Sequence, residues 1–295
     1  MTEQLVYING DLVTRENAKI SVWDRGFQSG DGVYEGLRVY NGGVFRLHEH
    51  VARLIRCAHA LRINLKMTHD DICKAILKTV EANGLTSDAH IRITLTRGDK
   101  PTTGMDTKIG EDWPPCLVII IEPKKPSFPK DGLRLITSSV RRMPAQCLDP
   151  KLHTLNQLGQ IMAKIEANNA GANEAIMLDM QGFVAETNSA NLFMIEGDTL
   201  RTPKVDALMP GLTRGYMLKI AADFGLKAVE DNISLGDLYC ADEVFMTGTV
   251  CEIVPVTEID GRRIGAGKPG PRTLKLLERY LETANSEVTR AAEFA

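Results

Sequence analysis

The segment "EPKKPSFPKDG", residues 122–132, carries three prolines, three lysines and a closing glycine. Proline fixes φ and removes a backbone donor, so no ordinary core strand or helix runs through such a stretch. It predicts a smaller N-terminal α/β domain at 1–121, an interdomain linker at 122–132 and a larger C-terminal α/β or α+β domain at 133–295. With 295 residues, 43% of them hydrophobic, each part has enough apolar side chains for a core of its own.

In the first part "LVYING", "VFRL", "HIRITLT" and "CLVIII" read as strands, the last as a buried one. Val51, Leu54, Ile55, Ala58 and Leu61 recur at helical spacing. A second helix follows, with Thr68 as its cap, Ile72, Ala75, Ile76, Thr79 and Val80 as its inner stripe, and Gly84 past its end. Beyond the linker come short strands ("LRLITSS", "EAIMLD", "NLFMI", "EVFMTG", "EIVPV") and three helices, one with Leu158, Ile161, Met162 and Ile165 on a single face. The tail after about residue 282 is weakly patterned.

A net charge of -3, with 35 basic and 38 acidic residues interspersed, offers no cationic surface for nucleic acid or an anionic membrane. The longest apolar run is too short to span a bilayer, and "MTEQLVYING" is no signal peptide. A soluble cytoplasmic protein acting on a small molecule is expected. The six cysteines lack C-x-x-C or zinc-finger spacing, and His48 and His50 flank Glu49 without an H-E-x-x-H pattern, so no metal site is expected.

Four motifs carry chemistry. In "MPGLTRGYMLKIAADFG", Gly211, Leu212 and Thr213 precede a helix whose apolar face is Met217, Ile220, Ala221 and Phe224; unpaired N–H groups and a positive dipole suit such a start to phosphate. Alone, the same residues make an ordinary cap. "TGT", Thr247 to Thr249, is a second cradle or merely a turn. "GFVAETNSANLF" sets Glu186 in a hairpin-like connection, where its carboxylate either pairs with a heterocyclic nitrogen or is simply solvated. "LHEHVARL" puts the guanidinium fork of Arg53 on a helix, for phosphate or for solvent.

Together with "FQSGDGVYEGLRVYNG", and in this order along nearly the whole chain, the four motifs resemble the fold-type IV pyridoxal-phosphate enzymes: branched-chain aminotransferases, D-amino-acid transaminases, (R)-selective amine transaminases and aminodeoxychorismate lyase. The resemblance implies a two-domain fold, a homodimer and pyridoxal 5′-phosphate as cofactor. It implies that Arg53, Leu212, Thr213, Gly248 and Thr249 hold the cofactor phosphate, that Glu186, within G-x-x-x-E-x-x-x-x-N-x-F, pairs with the pyridine nitrogen, and that Tyr34 lines the site. A carboxylate at that nitrogen keeps it protonated, so the ring can accept the electrons released at the substrate Cα.

The family carries its Schiff-base lysine in a segment like D-P-x-I-K-S-L-N-x-L, and "DPKLHTLNQL" aligned without gaps brings His153 to that position. An imidazole has no primary amine, yet it moves protons. Lys151 lies two residues earlier; on a regular strand 151 and 153 would share a face about 6 to 7 Å apart. Three readings follow: His153 is the base and the cofactor is held noncovalently; Lys151 is the amine with His153 assisting; or the protein binds the cofactor with little or no turnover. The gap-free spacing favours the first.

For the substrate carboxylate, the branched-chain type resembles "HIR" and implicates Arg92, and the D-amino-acid type resembles "TRG" and implicates Arg97. Their odd separation puts the two on opposite faces of a strand. The polar loop 98–115 is expected to shape the substrate entrance. The sequence thus reads as a class IV aminotransferase exchanging an amino group between an amino acid, branched-chain favoured, and a 2-oxo acid. A D-amino-acid or (R)-amine transaminase, and a cofactor binder with little turnover, are the alternatives.

Overall fold

The structure, a computed structural model, describes residues 4–294. In chain order the elements are β1 (Leu5–Ile8), β2 (Asp11–Thr14), α1 (Arg25–Ser29), β3 (Gly32–Tyr40), β4 (Gly43–Phe45), α2 (Leu47–Ala60), α3 (His69–Asn83), β5 (Ala89–Thr96) and β6 (Cys116–Pro123). After these come β7 (Leu133–Thr137), α4 (Ala145–Leu148), α5 (Leu158–Asn169), β8 (Glu174–Leu178), β9 (Val184–Thr187), β10 (Asn191–Glu196) and β11 (Thr199–Pro203). The chain ends with α6 (Leu212–Ile220), β12 (Lys227–Asp231), α7 (Leu235–Cys240), β13 (Glu243–Gly248), β14 (Glu252–Ile259), β15 (Arg262–Arg263), α8 (Pro271–Ser286) and β16 (Val288–Thr289).

These form two compact units. The first comprises residues 1–125, 152–156 and 284–295, the second 126–151 and 157–283. The change of unit at 125/126 falls inside the expected linker, but a single cut is too simple, because 152–156 and the C-terminal residues pack with the first unit. Glu122 and Pro123, expected in the linker, close β6.

The first unit is a seven-stranded sheet in the order β16-β4-β3-β5-β6-β1-β2, with every neighbouring pair antiparallel. One face buries Leu37, Ile91, Ile93, Leu95, Ile119 and Ile121 against α2 and α3. The α2 stripe lies inward through Val51, Leu54 and Ala58. The α3 stripe is buried as its spacing requires, a capping box joins Thr68 to Asp71, and Gly84 takes the left-handed φ of 63° that stops the helix. β6, read as wholly buried, buries alternate residues only, because an outer antiparallel sheet face stays solvated. Ala291 and Phe294 of the tail pack onto this core.

The second unit is a nine-stranded mixed sheet, β12-β11-β10-β13-β14-β7-β8-β9, with β15 on β14. Its core runs through Leu133, Ile176, Leu192, Met246 and Val254. The apolar row of α5 faces outward: Leu158, Ile161, Met162 and Ile165 are exposed while Ala163 and Ala167 pack inward. Small side chains let that helix approach the sheet closely.

Candidate functional site

In the first unit the site grows from β3. Strand alternation sends Tyr34 and Glu35 to opposite faces, and the carboxylate of Glu35, wholly buried, meets two residues three apart on α2. Arg53 donates to it through Nε at 2.7 Å and Nη2 at 2.8 Å, and His50 Nδ1 lies 2.7 Å from its Oε2. Residues 153–155 run along the edge of β3, with Tyr34 N–H donating to the His153 carbonyl at 2.9 Å and Leu155 N–H to that of Gly32 at 3.0 Å.

From that edge the His153 ring reaches both neighbours. It stacks on Tyr34 with centroids 3.9 Å apart, and its Nδ1, buried and without a hydrogen bond, lies 3.5 Å from Glu35 Oε1. Burial works to raise the Glu35 carboxyl, but Arg53, with His153 and His50 acting in the same sense, holds it well below the usual carboxylate range. Burial lowers the His153 imidazole against the opposing pull of Glu35, and does the same to His50. A neutral imidazole beside an ionised carboxylate is an oriented proton acceptor.

Arg53 was expected at the cofactor phosphate; two of its nitrogens are committed to Glu35. The two arginines expected at the substrate carboxylate separate clearly. The Arg92 guanidinium lies 3.5 Å over the Tyr34 ring, and among the described residues no carboxylate pairs with it. Arg97 forks onto both oxygens of Asp31 at 2.6 and 3.0 Å and donates to the carbonyls of Leu61 and Arg62 at 2.8 Å. That is a structural clamp. In the loop after it, Lys100 is buried and donates to Gly110 O at 2.7 Å, holding 98–113 closed on itself.

In the second unit, Lys151 sits in a turn, so the same-face strand geometry considered for 151 and 153 is absent. Its backbone N–H donates to Asp149 Oδ1, and its ammonium pairs with the same oxygen at 3.0 Å.

Glu186 lies within β9 rather than in a solvated connection, and is buried. Arg142 Nη2 pairs with Oε1 at 2.7 Å, Asn191 Nδ2 donates to Oε2 at 3.0 Å, and the Met209 N–H approaches at 3.3 Å. Burial pushes the Glu186 carboxyl up to about 7, with Arg142 acting the other way.

Asn191 also donates to Met209 O, and its Oδ1 fills the place where a Cβ on Gly211 would stand. A Cβ there would push the Asn191 amide off Glu186 and Met209. Gly211 opens α6 with no side-chain cap, Leu212 and the buried Thr213 form its first turn, and α6 packs on β13. Gly248 ends β13 and Thr249 follows it, while the Thr247 hydroxyl is buried with no hydrogen-bond partner. An uncapped helix start beside an unpartnered hydroxyl is chemistry suited to an anion.

Sequence reasoning missed Glu35, His50 and Arg142 as members of these clusters. Glu35 stood inside "GVYEG" and Arg142 inside "SSVRR", but a buried charge partner has no spacing signature when its mates come from another element.

The two sheets and their side-chain sets define the two-domain architecture of fold type IV. The sequence profile of amino-transferase class IV matches residues 32–259. The chain belongs to the class IV aminotransferase family. It is 43% identical over 277 residues to a putative branched-chain-amino-acid aminotransferase of Methanocaldococcus jannaschii, covering 93% of this chain and 94% of that one. It is 44% identical to branched-chain-amino-acid aminotransferase-like protein 2 of Arabidopsis thaliana over 94% of this chain, and spans about half (49%) of that relative's length. A D-alanine aminotransferase of Bacillus licheniformis is 34% identical, with 97% and 99% of the two chains covered. The crystal structure of the T.th. branched-chain amino acid aminotransferase complexed with N-(5′-phosphopyridoxyl)-L-glutamate superposes with a TM-score of 0.90, at 34% identity and 99% coverage of each chain.

Proposed function

We propose that this aminotransferase binds pyridoxal 5′-phosphate without a lysine tether and exchanges an amino group between a branched-chain amino acid and a 2-oxo acid, with His153 as the proton carrier. The residues present fit the cofactor. An uncapped α6 start and the orphaned Thr247 hydroxyl support phosphate binding by Leu212, Thr213, Gly248 and Thr249. Glu186, fixed by Arg142 and Asn191, would hold the pyridine nitrogen. When bound, the cofactor supplies an aldehyde for the substrate amine and a ring that accepts the electron pair left as the Cα proton departs.

The observation that carries the reading is His153 stacked on Tyr34 with Nδ1 directed at Glu35. Glu35 favours a proton on Nδ1, which leaves the Nε2 lone pair as the base. The side chain is 19% exposed. Lys151, an ammonium paired with Asp149, is not a ready nucleophile. Arg92, with Tyr34 beneath it, is suited to the substrate carboxylate, whereas Arg97 has its donors spent on Asp31 and two carbonyls. That contrast favours branched-chain over D-amino acids, although a D-alanine aminotransferase is among the relatives.

The exposed row on α5 supports association of two copies, which a mass measurement in solution tests. Among the described residues no helix is long and apolar enough to cross a membrane, and a cytoplasmic location is part of the proposal. The functional test is the spectral conversion of the holoprotein by L-leucine, D-alanine and (R)-1-phenylethylamine in turn. Conversion by L-leucine is expected; conversion only by one of the others would reassign the substrate, and none at all would leave a cofactor binder.

A further inference from the structure

At the starts of α2 and α3, three donors converge that the reaction does not use. His48 is the second residue of α2, His69 opens α3, and Cys73 stands one turn further along α3. The four-residue spacing of His69 and Cys73 puts them on one helix face. The ligand atoms of all three lie within 4.8 Å of one another. Cys73 Sγ is 4.0 Å from His48 Nδ1 and 3.9 Å from His69 Nδ1, and the two imidazoles stack at 5.2 Å.

One S–H can serve only one of the two nitrogens at a time, whereas one cation would take a lone pair from each of the three ligand atoms at once. A tetrahedral ion with metal–sulfur and metal–nitrogen bonds near 2.3 and 2.1 Å separates sulfur from nitrogen by about 3.6 Å. The two sulfur–nitrogen distances would contract by roughly 0.3 to 0.4 Å, and the two nitrogens, within 4.8 Å of each other here, would close to about 3.4 Å. His69 Nε2 lies 3.3 Å from the carbonyl of His48; an N–H donated there leaves the Nδ1 lone pair facing the sulfur, the outer bond that ligating imidazoles commonly make. Asp70 Oδ1, 3.1 Å from the same Nδ1, competes for it, but that side chain is 70% exposed and can turn away. His48 is exposed, His69 half-buried and Cys73 buried, so the set meets solvent at His48, on which Phe294 stacks at 5.8 Å.

We propose that His48, His69 and Cys73 bind one zinc-like divalent transition-metal ion, with a solvent water as fourth ligand. Binding forms one metal–sulfur and two metal–nitrogen bonds, releases the thiol proton to solvent and involves no change of oxidation state. Sequence spacing hid the site because its ligands come from two helices. The ion would pin the starts of α2 and α3 together, apart from the aminotransferase chemistry.

The test is titration of the metal-free full-length protein with Co²⁺, then Zn²⁺, in a background where the exposed Cys147 and Cys240 are replaced by serine. One equivalent of Co²⁺ should give a thiolate-to-cobalt charge-transfer band that Zn²⁺ removes. Loss of the band in Cys73→Ser and in His69→Ala is expected, and because Cys73 is buried, His48→Ala at the exposed position carries the result should the others misfold. No band in the parent, or an unchanged band in a folded His48→Ala chain, overturns the proposal.

Discussion

The ring of His153 lies against that of Tyr34 with centroids 3.9 Å apart and 35° between their planes, and the same imidazole turns Nδ1 toward Glu35 at 3.5 Å. A ring stacked on an aromatic side chain, with one nitrogen turned toward a carboxylate, has a preferred orientation and a preferred tautomer. Removing the imidazole therefore removes a positioned base. His153→Ala should slow the amino-donor half-reaction by roughly 10²- to 10⁴-fold with cofactor affinity retained. Stopped-flow absorbance checks it, and an unchanged rate removes His153 from the mechanism.

The pH dependence follows from the same burial. His153 is shifted below its ordinary 6.5, so the neutral base persists at pH 6.5 and is lost only in more acidic solution. The half-reaction rate should fall on an acidic limb lying below pH 6.5, and the limb should be missing in His153→Ala. A limb at or above that ordinary value in the parent contradicts the assignment.

Glu186 gives a stability signature. Burial raises it from 4.5 to about 7, so between those values the folded chain holds a proton that the unfolded chain releases, and stability falls as pH rises through that window. Glu186→Gln has no such proton. Its urea midpoint, measured at about pH 5 and about pH 8, should fall less across the window than the parent's; parallel curves would show that Glu186 titrates normally.

Glu35 works in the opposite sense. Its carboxyl is held well below the usual range, so the stability it contributes is present above the unfolded value of about 4.5 and is lost as pH falls through the folded value. Breaking a buried ion pair by removing one partner costs about 3–5 kcal/mol. Glu35→Gln should lose an amount of that order in equilibrium unfolding at neutral pH, whereas a loss within about 0.5 kcal/mol, an ordinary surface value, would show that Arg53 and His50 do not depend on it.

The arginines divide binding from structure. Arg92→Met should raise KM for the amino acid by about tenfold or more, the effect of losing about 1.4 kcal/mol of binding, with little change in melting temperature. Arg97→Met should lower the melting temperature, because four hydrogen bonds to Asp31, Leu61 and Arg62 disappear. The reverse pattern would return Arg97 to the substrate.

Local signals were legible in the sequence wherever their causes were local. The α3 cap, its inner stripe and its stop at Gly84 follow from neighbours within a turn, and the sheet strands from period-two runs. The α5 row could not be placed from spacing, since periodicity shows that Leu158, Ile161, Met162 and Ile165 share a face but not whether the fold covers it. The motif residues Glu186 and Gly211 carried pattern enough to be singled out, whereas Arg142 and Glu35 depend on partners distant in sequence. Lys151 shows the same limit: strand alternation presupposed a strand, and Asp149 makes a turn there instead.

The most direct test of an untethered cofactor is borohydride reduction of the holoprotein followed by peptide mass mapping, with His153→Lys as the positive control. The account predicts no reduced cofactor adduct on the parent chain despite bound cofactor, and an adduct at position 153 in the control. An adduct on Lys151 of the parent would contradict it.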